Sequence, residues 1–311
     1  MAYVAGFQPK GEGYIKLNTN ENPYPPKVSL ENFNLDKLKL YPDPNSTKLS
    51  QAIADKFGVK LENVFVGNGS DEVIALIYET FFRGQVLSQP DISYGFYPVW
   101  TDFYQAKGNF IPLKDWMIDF SEYSGNCIIA NPNAPTGVGI NINEIPQGGI
   151  VVIDEAYLDF SDIPSAVELI KKYDNLIVVK TFSKSYSLAG LRVGFAIANE
   201  KLIKQLKNSK DSFNSYPVDS LAEELATQAI KQAPLVEEVK KTRAWLETQI
   251  DCLPSDANFV FWKIENAKEM YEYLLENKIV VRYWDKYPDR IRVSIGTQKE
   301  MEAFLACVKA K

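Results

Sequence analysis

Residues 181–195 read Thr-Phe-Ser-Lys-Ser-Tyr-Ser-Leu-Ala-Gly-Leu-Arg-Val-Gly-Phe, and this stretch decides the fold and the site that we expect. The apolar run Leu-Ile-Val-Val precedes it and predicts a buried strand. Lys184 follows the strand end, where a partly desolvated amine can act as a nucleophile. The hydroxyls of Thr181 and Ser183 and the guanidinium of Arg192 are donors that suit a phosphate group.

A lysine nucleophile beside an anchored phosphate is the combination that holds pyridoxal 5′-phosphate (PLP) as a Schiff base. A polar turn after a strand, carrying one of the many lysines of the chain, has the same composition. The stretch alone therefore leaves both interpretations open, and the rest of the sequence must separate them.

Composition narrows the class of protein. The length of 311 residues predicts about two domains, and the net charge of -6 argues against a general nucleic-acid or anionic-membrane binder. We find no apolar run of membrane-spanning length and no signal-peptide layout at the N-terminus. The three cysteines are scattered without metal-binding spacing. We expect a cytoplasmic protein without a metal site.

The chain contains no histidine, which excludes Ser-His-Asp triads, Cys-His pairs and histidine-based zinc sites. Acid–base chemistry near neutral pH must then use lysine, tyrosine, a carboxylate or a cofactor. Arginine is scarce, so each arginine is a candidate for a role that lysine cannot fill.

Short apolar runs alternate with helical stretches between residues 46 and 225, which predicts a large α/β domain with a mostly parallel sheet flanked by helices. Polar or aromatic residues follow several of these runs, and ligands bind at the carboxyl edge of such sheets. These residues are Ser70 and Asp71 in a glycine turn, Tyr94, Asn133 in a proline-rich loop, and Asp154.

Each of these residues also has an ordinary structural explanation. Ser70 and Asp71 could simply cap a helix, and the ring of Tyr94 could lie in the core. Asp154 directly follows a fully apolar strand, where a carboxylate is costly to bury unless a cation pairs with it. That cost favours a functional role for Asp154 over a helix cap.

The two ends of the chain differ from the middle. Residues 1–45 are rich in Pro, Asn and Tyr and predict an extended arm that packs on the small domain and a partner subunit, with a floppy terminus as the alternative. Residues 226–311 predict a small α+β domain. Its strand at 291–295 directs Arg292 away from the apolar face, where it could bind a substrate carboxylate or merely face solvent.

Taken together, these segments resemble the fold-type I PLP-dependent aminotransferases, and most closely the histidinol-phosphate aminotransferase family. The resemblance spans nearly the whole chain. Its motifs, in family order, are Asn18-Thr19-Asn20-Glu21-Asn22-Pro23, Tyr41-Pro42, Gly69-Ser70-Asp71-Glu72, Tyr94-Gly95, Pro132-Asn133-Ala134-Pro135-Thr136-Gly137, Asp154-Glu155-Ala156-Tyr157, Ser183-Lys184, Gly190-Leu191-Arg192, Ser255-Asp256-Ala257-Asn258-Phe259 and Ile291-Arg292-Val293-Ser294-Ile295-Gly296.

The resemblance implies a role for each matching residue. Lys184 would hold PLP covalently and move a proton, Asp154 would pair with the pyridine nitrogen, and Tyr157 would bind the phenolate oxygen. Tyr94 would stack on the ring. The phosphate would be bound by Ser70, Asp71, Thr181, Ser183, Arg192 and, from the partner subunit of a homodimer, Tyr41. Substrate would be bound by Arg292, Arg282, Asn22 and Tyr24.

The implied reaction is a ping-pong exchange between L-histidinol phosphate and 2-oxoglutarate, which belongs to histidine biosynthesis. A threonine-phosphate decarboxylase, an aromatic aminotransferase and a catalytically silent PLP-fold binding protein stay open as alternatives. The sequence departs from the family at Ala134, where an asparagine usually meets the phenolate oxygen, so that either Asn133 replaces it or Tyr157 acts alone. The segment from 136 to 150 is also short for the family.

Overall fold

The computed structural model describes residues 3–31 and 33–311. The strands in these residues are β1 Ile15–Lys16, β2 Val64–Gly67, β3 Val86–Pro90, β4 Lys107–Ile111, β5 Cys127–Ala130, β6 Val151–Asp154, β7 Leu176–Thr181, β8 Gly194–Ala198, β9 Phe259–Lys263, β10 Ile279–Val280, β11 Arg282–Tyr283 and β12 Arg290–Ser294. The α-helices are α1 Thr47–Phe57, α2 Gly69–Ile77, α3 Tyr97–Phe103, α4 Glu200–Phe213, α5 Ser220–Ile230, α6 Glu237–Glu247, α7 Ala267–Glu276 and α8 Gln298–Ala310.

Seven strands form the central sheet in the order β2-β8-β7-β6-β5-β3-β4. Five neighbouring strands of this sheet, β3, β4, β5, β6 and β7, are parallel. Strand β8 runs antiparallel to both of its neighbours, β7 and β2. Parallel strands are buried on both faces and therefore read as continuous apolar runs, as β5, β6 and β7 do. The predicted α/β fold with a mostly parallel sheet is confirmed.

The sheet separates two apolar cores, and the alternation of side chains along each strand decides which residue joins which core. In β6, Val151 and Ile153 belong to one core, whereas Val152 belongs to the other. Helices α1 and α5 cover the first face, and α2 and α4 cover the second. Helices on both faces leave the carboxyl edge of the parallel strands open for a ligand.

A second, antiparallel sheet has the order β11-β12-β9 and packs with α6, α7 and α8. The arm joins this part of the molecule, because β1 pairs in parallel with β10 and Leu17 is buried in the same core. Residues 1, 2 and 32 of the predicted arm lie outside the described residues. No helix within the described ranges is long and apolar enough to cross a membrane.

Strand β8 was not predicted, and its sequence explains why. Gly194, Ala196 and Ala198 are small residues with little strand preference, yet the segment lies between β7 and β2 and is fully buried. Gly194 is required there, because a Cβ atom at this position would lie only 2.2 Å from the backbone nitrogen of Ser70. The close approach brings the turn before α2 against the segment that carries Lys184.

Candidate active site

A cavity of about 540 Å³ opens at the carboxyl edge of the central sheet. Its walls come from the strand ends, from the arm at residues 3–21 and from the second sheet. The structure brings eleven of the predicted site residues to this one cavity: Ser70, Asp71, Tyr94, Asp154, Tyr157, Thr181, Ser183, Lys184, Arg192, Arg282 and Arg292. Signals that were weak one by one in the sequence therefore share one location.

One end of the cavity is rich in hydrogen-bond donors. Helix α2 begins at Gly69, whose φ of +82° glycine adopts without strain, and the first backbone N–H groups of a helix have no partner inside it. Arg192 lies over this turn, because its Nη2 atom would be 2.5 Å from a Cβ added to Gly69. Its Nη1 atom is also 3.5 Å from Ser183 Oγ. A helix N-terminus with a guanidinium and hydroxyls can bind a phosphate.

Asp71 keeps two of these groups in place. Its Oδ2 atom lies 3.3 Å from Arg192 Nη2, and its Oδ1 atom accepts a hydrogen bond of 2.9 Å from Tyr94 Oη. Burial, together with the negative charge of Asp71, raises the pKa of Tyr94 well above its ordinary value. Tyr94 therefore stays a neutral hydroxyl donor at physiological pH, with its ring in the cavity wall.

Asp154 lines the same cavity and is 5% exposed. It accepts hydrogen bonds of 3.0 Å from Tyr97 Oη and 3.1 Å from the Ala156 N–H. Among the described residues no lysine or arginine forms an ion pair with it. Burial raises the pKa of Asp154 from 3.8 to about 6. A buried carboxylate facing a cavity without a cation is a binding site for a cationic group.

Lys184 also lines this cavity and is half-buried in the turn after β7. Its Nζ atom donates a hydrogen bond of 3.1 Å to the Thr19 carbonyl of the arm, and it is 5.6 Å from the ring centroid of Tyr157. The Tyr157 hydroxyl in turn accepts a hydrogen bond of 3.0 Å from Asn20 Nδ2. The arm therefore positions both residues.

Two arginines of the second sheet form the remaining wall. Arg292 Nη2 donates a 2.7 Å hydrogen bond to the Asn18 carbonyl, and its Nε atom is buried without a partner among the described residues. Its guanidinium lies 5.3 Å from the ring centroids of both Phe259 and Trp284, and burial lowers its pKa from the ordinary arginine value. A desolvated guanidinium with unused donors suits a carboxylate or a phosphate.

Arg282 is held by residues near the N-terminus. Its Nη2 atom donates to the Val4 carbonyl at 3.0 Å, and Nη1 lies 3.5 Å from the Ala5 carbonyl. The ring of Tyr3 stacks on that of Phe96 with centroids 4.1 Å apart, which holds this segment over the cavity mouth. Neutral carbonyls are weaker acceptors than an anion, so a phosphate could displace them.

Asn133 departs from its prediction. Its side chain is buried and does not line the cavity, because Nδ2 donates to the Ile92 carbonyl at 2.9 Å and Oδ1 accepts from Ser93 Oγ at 2.8 Å. Ala134 lies in the wall instead. The amide stabilises the loop, and it has no donor left for a ligand in the cavity.

Three further predicted residues also lie away from the cavity. Asn22 Nδ2 donates to the carbonyls of Lys184 at 3.2 Å and Leu235 at 2.7 Å, so it supports the backbone and has no free donor for substrate. Tyr24 packs against the core of the second sheet. Tyr41 is 82% exposed. The role proposed for Tyr41 requires a second subunit, so a single chain does not test it.

Sequence reasoning missed several residues of the cavity. Asn18, Thr19 and Asn20 belong to a motif that we identified, but only Asn22 was selected from it. Tyr97, which holds Asp154, gave no signal because an aromatic residue at a helix start usually means core. Within residues 3–31 and 33–311 no group of three or more side chains could hold a metal ion.

Comparison with known proteins agrees with this geometry. The model of the family "Aminotransferase class I and II" matches residues 12–308. The histidinol-phosphate aminotransferase of Brachyspira hyodysenteriae is 44% identical over 335 aligned positions, covering 99% of this chain and 95% of that protein. The solved histidinol-phosphate aminotransferase of Clostridium acetobutylicum is 27% identical with a TM-score of 0.83, covering 95% of this chain and 98% of that one.

A more distant structure shares the fold. The histidinol-phosphate aminotransferase of Sinorhizobium meliloti, solved in complex with pyridoxal-5′-phosphate, superimposes with a TM-score of 0.81 at 22% identity. The match covers 95% of this chain and 91% of that one. The architecture is therefore retained where most side chains differ.

Proposed function

The chain belongs to the class I and II aminotransferase family, and from this membership we propose that it uses PLP to transfer an amino group between L-histidinol phosphate and 2-oxoglutarate. The observation that carries the proposal is one cavity that contains a lysine, a phosphate-type donor cluster and a buried carboxylate without a cation. The full-length similarity to histidinol-phosphate aminotransferases supports the choice of substrate.

The residues present fit PLP. The cofactor has a phosphate, an aldehyde and a pyridine nitrogen that carries a proton when an acid pairs with it. The donors around Arg192 and the start of α2 match the phosphate, and Lys184 matches the aldehyde. Asp154 lacks a cationic partner among the described residues, and a protonated pyridine nitrogen would supply one. The cavity therefore offers a partner for each of the three groups of the cofactor.

When bound, PLP supplies an electron sink for the electron pair left behind as the amine-bearing carbon of the substrate loses its proton. Lys184 Nζ would hold the cofactor, and its free amine would move the proton at that carbon. Asp154 would keep the pyridine nitrogen protonated, and Tyr97 and the Ala156 N–H hold its two oxygens in place. Tyr157 would donate to the phenolate oxygen without help from Asn133, because the amide of Asn133 is used by its own loop.

The two arginines of the second sheet bind the anionic ends of the two substrates. Arg292 takes the α-carboxylate of glutamate, because its Nε and Nη groups can form two parallel hydrogen bonds with a carboxylate. Arg282 takes the phosphate of histidinol phosphate, after that phosphate displaces the carbonyls of Val4 and Ala5. Both arginines line the cavity that also contains Lys184. A substrate whose anionic end is bound by either arginine can therefore direct its amine toward Lys184.

We further propose a cytoplasmic homodimer with shared active sites. The arm carries a run of exposed apolar side chains, with Leu35 71% and Leu40 65% exposed, next to Tyr41. Tyr41 stacks on Tyr216 at 4.8 Å and reaches no cavity residue of its own chain. The apolar surface fits a second copy, and Tyr41 would contact the phosphate in the cavity of that copy. In this proposal the arm comprises residues 1–45, the large domain residues 46–225 and the small domain residues 226–311.

A half-reaction screen tests the proposed function. PLP-loaded protein is mixed with one amine at a time, and loss of the visible band is followed under single-turnover conditions. We expect conversion with L-histidinol phosphate and L-glutamate and far slower conversion with L-tyrosine. Release of carbon dioxide from threonine phosphate, or conversion by tyrosine alone, would contradict the substrate. A protein that binds PLP and converts no amine would be the silent binding protein.

A further inference from the structure

Three buried polar residues, Glu155, Lys180 and Ser185, and the half-buried Asp159 lie behind the active-site cavity, and the proposed mechanism uses none of them. Lys180 Nζ is 3.1 Å from Glu155 Oε2 and 3.2 Å from Asp159 Oδ1. Asp159 Oδ2 accepts a hydrogen bond of 2.5 Å from Ser185 Oγ. None of the four lines the cavity. We call these residues the buried network.

The buried network has its hydrogen bonds satisfied. Glu155 accepts further bonds of 2.6 Å from Ser165 Oγ and from the Ala166 N–H. Burial lowers the pKa of Lys180, but its two carboxylates outweigh this and leave the pKa above the ordinary lysine value. Lys180 also lowers the pKa of Asp159 despite the burial of that carboxylate. Lys180 and Asp159 therefore stay charged at neutral pH, and their contact persists.

Each member of the buried network is joined along the chain to a residue that faces the cavity. Glu155 follows Asp154 at the end of β6, and Ser185 follows Lys184. Lys180 directly precedes Thr181, and Asp159 lies two residues after Tyr157. The network therefore links the end of β6, the end of β7 and the lysine turn on the side of the backbone that faces away from the cavity.

The lysine turn has few other restraints of this kind. Its backbone is held by a hydrogen bond of 2.7 Å from the Leu235 N–H to the Ser185 carbonyl, and by Asn22 on the Lys184 carbonyl. Among the described residues, Ser185 Oγ provides the only side-chain hydrogen bond from this turn to the segment after β6. This bond therefore connects the position of the turn to the segment that carries Asp154.

Stability alone does not account for the buried network. Replacing a buried ion cluster by apolar residues of similar volume is often neutral or stabilising, because desolvation offsets most of the attraction between charges. Ion pairs of fixed geometry can, however, hold two segments in one register. Here the relative position of the two segments matters for the reaction, because Lys184 and Asp154 must reach two different atoms of one rigid cofactor.

We propose that Glu155, Lys180, Asp159 and Ser185 form a positioning network that sets Lys184 relative to Asp154. It contacts neither substrate nor cofactor, and it acts through the two residues to which it is joined. This inference rests on the proposed function, because it assumes that Lys184 and Asp154 act on the same bound molecule. A displacement of reacting groups by about 1 Å can lower a rate by on the order of a hundredfold.

Ser185→Ala is the most selective test, since it cuts the link to the lysine turn and leaves the three charges paired. Fully PLP-loaded protein should show a kcat lowered by about ten- to a hundredfold, with KM for histidinol phosphate within about twofold of wild type. The thermal unfolding temperature should change little. Lys180→Met should lower kcat at least as much, and Lys180→Arg should restore most of it, because a guanidinium reaches both carboxylates.

Lys240→Met is the matched control. Lys240 pairs with Asp162 at 2.6 Å, but Asp162 is almost fully exposed and neither residue touches the network. This variant should keep wild-type kcat, KM and PLP loading. If it loses as much activity as Lys180→Met, the loss reflects a general loss of charge pairs and the proposal is wrong.

A second readout does not depend on the identity of the amine. Apoprotein is mixed with PLP, and the rate at which the visible band of lysine-bound PLP appears is measured. Ser185→Ala should slow this rate by about tenfold, whereas Lys240→Met should not change it. Wild-type rates of capture and turnover in fully loaded Ser185→Ala would overturn the positioning role. Wild-type protein that never develops the band would instead refute the proposed function.

Discussion

Replacing Asp154 by asparagine removes a buried negative charge that has no cationic partner in the described residues, and the free energy of unfolding should report this directly. Burial raises the pKa of Asp154 from 3.8 to about 6. Each pKa unit corresponds to about 1.4 kcal/mol, so the ionised carboxylate destabilises the apoprotein by about 3 kcal/mol relative to its protonated form.

The sign follows from proton binding. The folded state binds the Asp154 proton more tightly than the unfolded state, so this contribution to stability is fully present below pH 3.8 and is lost as the pH rises through about 6. Asparagine resembles the protonated acid and does not titrate. Asp154→Asn apoprotein should therefore match wild type near pH 4 and exceed its stability by about 3 kcal/mol above pH 7.

Urea unfolding of both apoproteins at pH 4.5, 6 and 8, at equal protein concentration, measures the difference. Asp115→Asn is the control, because Asp115 is exposed and its replacement should give no such pH dependence. Added PLP should stabilise wild type more than Asp154→Asn, since only the carboxylate can pair with a cationic ring nitrogen. If the difference in the free energy of unfolding between the two apoproteins does not grow with pH, ionisation of Asp154 does not destabilise the folded apoprotein, and the claim is refuted. Equal stabilisation by PLP would refute its pairing with the cofactor.

Three other predictions concern the anion sites and the dimer. Arg192→Ala should weaken PLP binding by about ten- to a hundredfold, because it removes a charge-assisted hydrogen bond of about 1.5–3 kcal/mol. Titration of the apoprotein with PLP measures this change. Arg292→Lys should raise KM for glutamate by about tenfold or more, because an ammonium cannot bind a carboxylate bidentately, with KM for histidinol phosphate changed less; an unchanged KM for glutamate would contradict the assignment. Tyr41→Phe should weaken PLP binding in a dimer, and mixing it with Lys184→Ala protein should yield some wild-type sites; an unaffected PLP affinity would argue against shared sites.

The sequence predicted the parts of the fold that follow from local pattern. Buried parallel strands must be apolar throughout, so β5, β6 and β7 were visible as continuous runs, and polar residues directly after them marked the carboxyl edge. Strand β8 escaped prediction because close packing against Ser70 requires Gly194, and small residues give no strand signal.

Contacts between distant segments were beyond sequence reasoning. The bond from Asn20 to Tyr157 joins residues 137 positions apart, and no local pattern encodes it. Asn133 shows a second limit: its position in the motif suggested a ligand contact, and the sequence could not reveal that the loop itself uses the amide. A side chain of a type that suits a ligand can already be fully used by hydrogen bonds within the protein.

The covalent state of Lys184 tests the central claim most directly. PLP-loaded protein is reduced with borohydride, which fixes the cofactor to the lysine that holds it, and is then digested with trypsin. Trypsin cannot cut after a modified lysine, so the label should appear on peptide 181–192, bounded by Lys180 and Arg192. Treatment with L-histidinol phosphate before reduction should abolish the label. A label on another lysine, or one that histidinol phosphate leaves in place, would contradict the account.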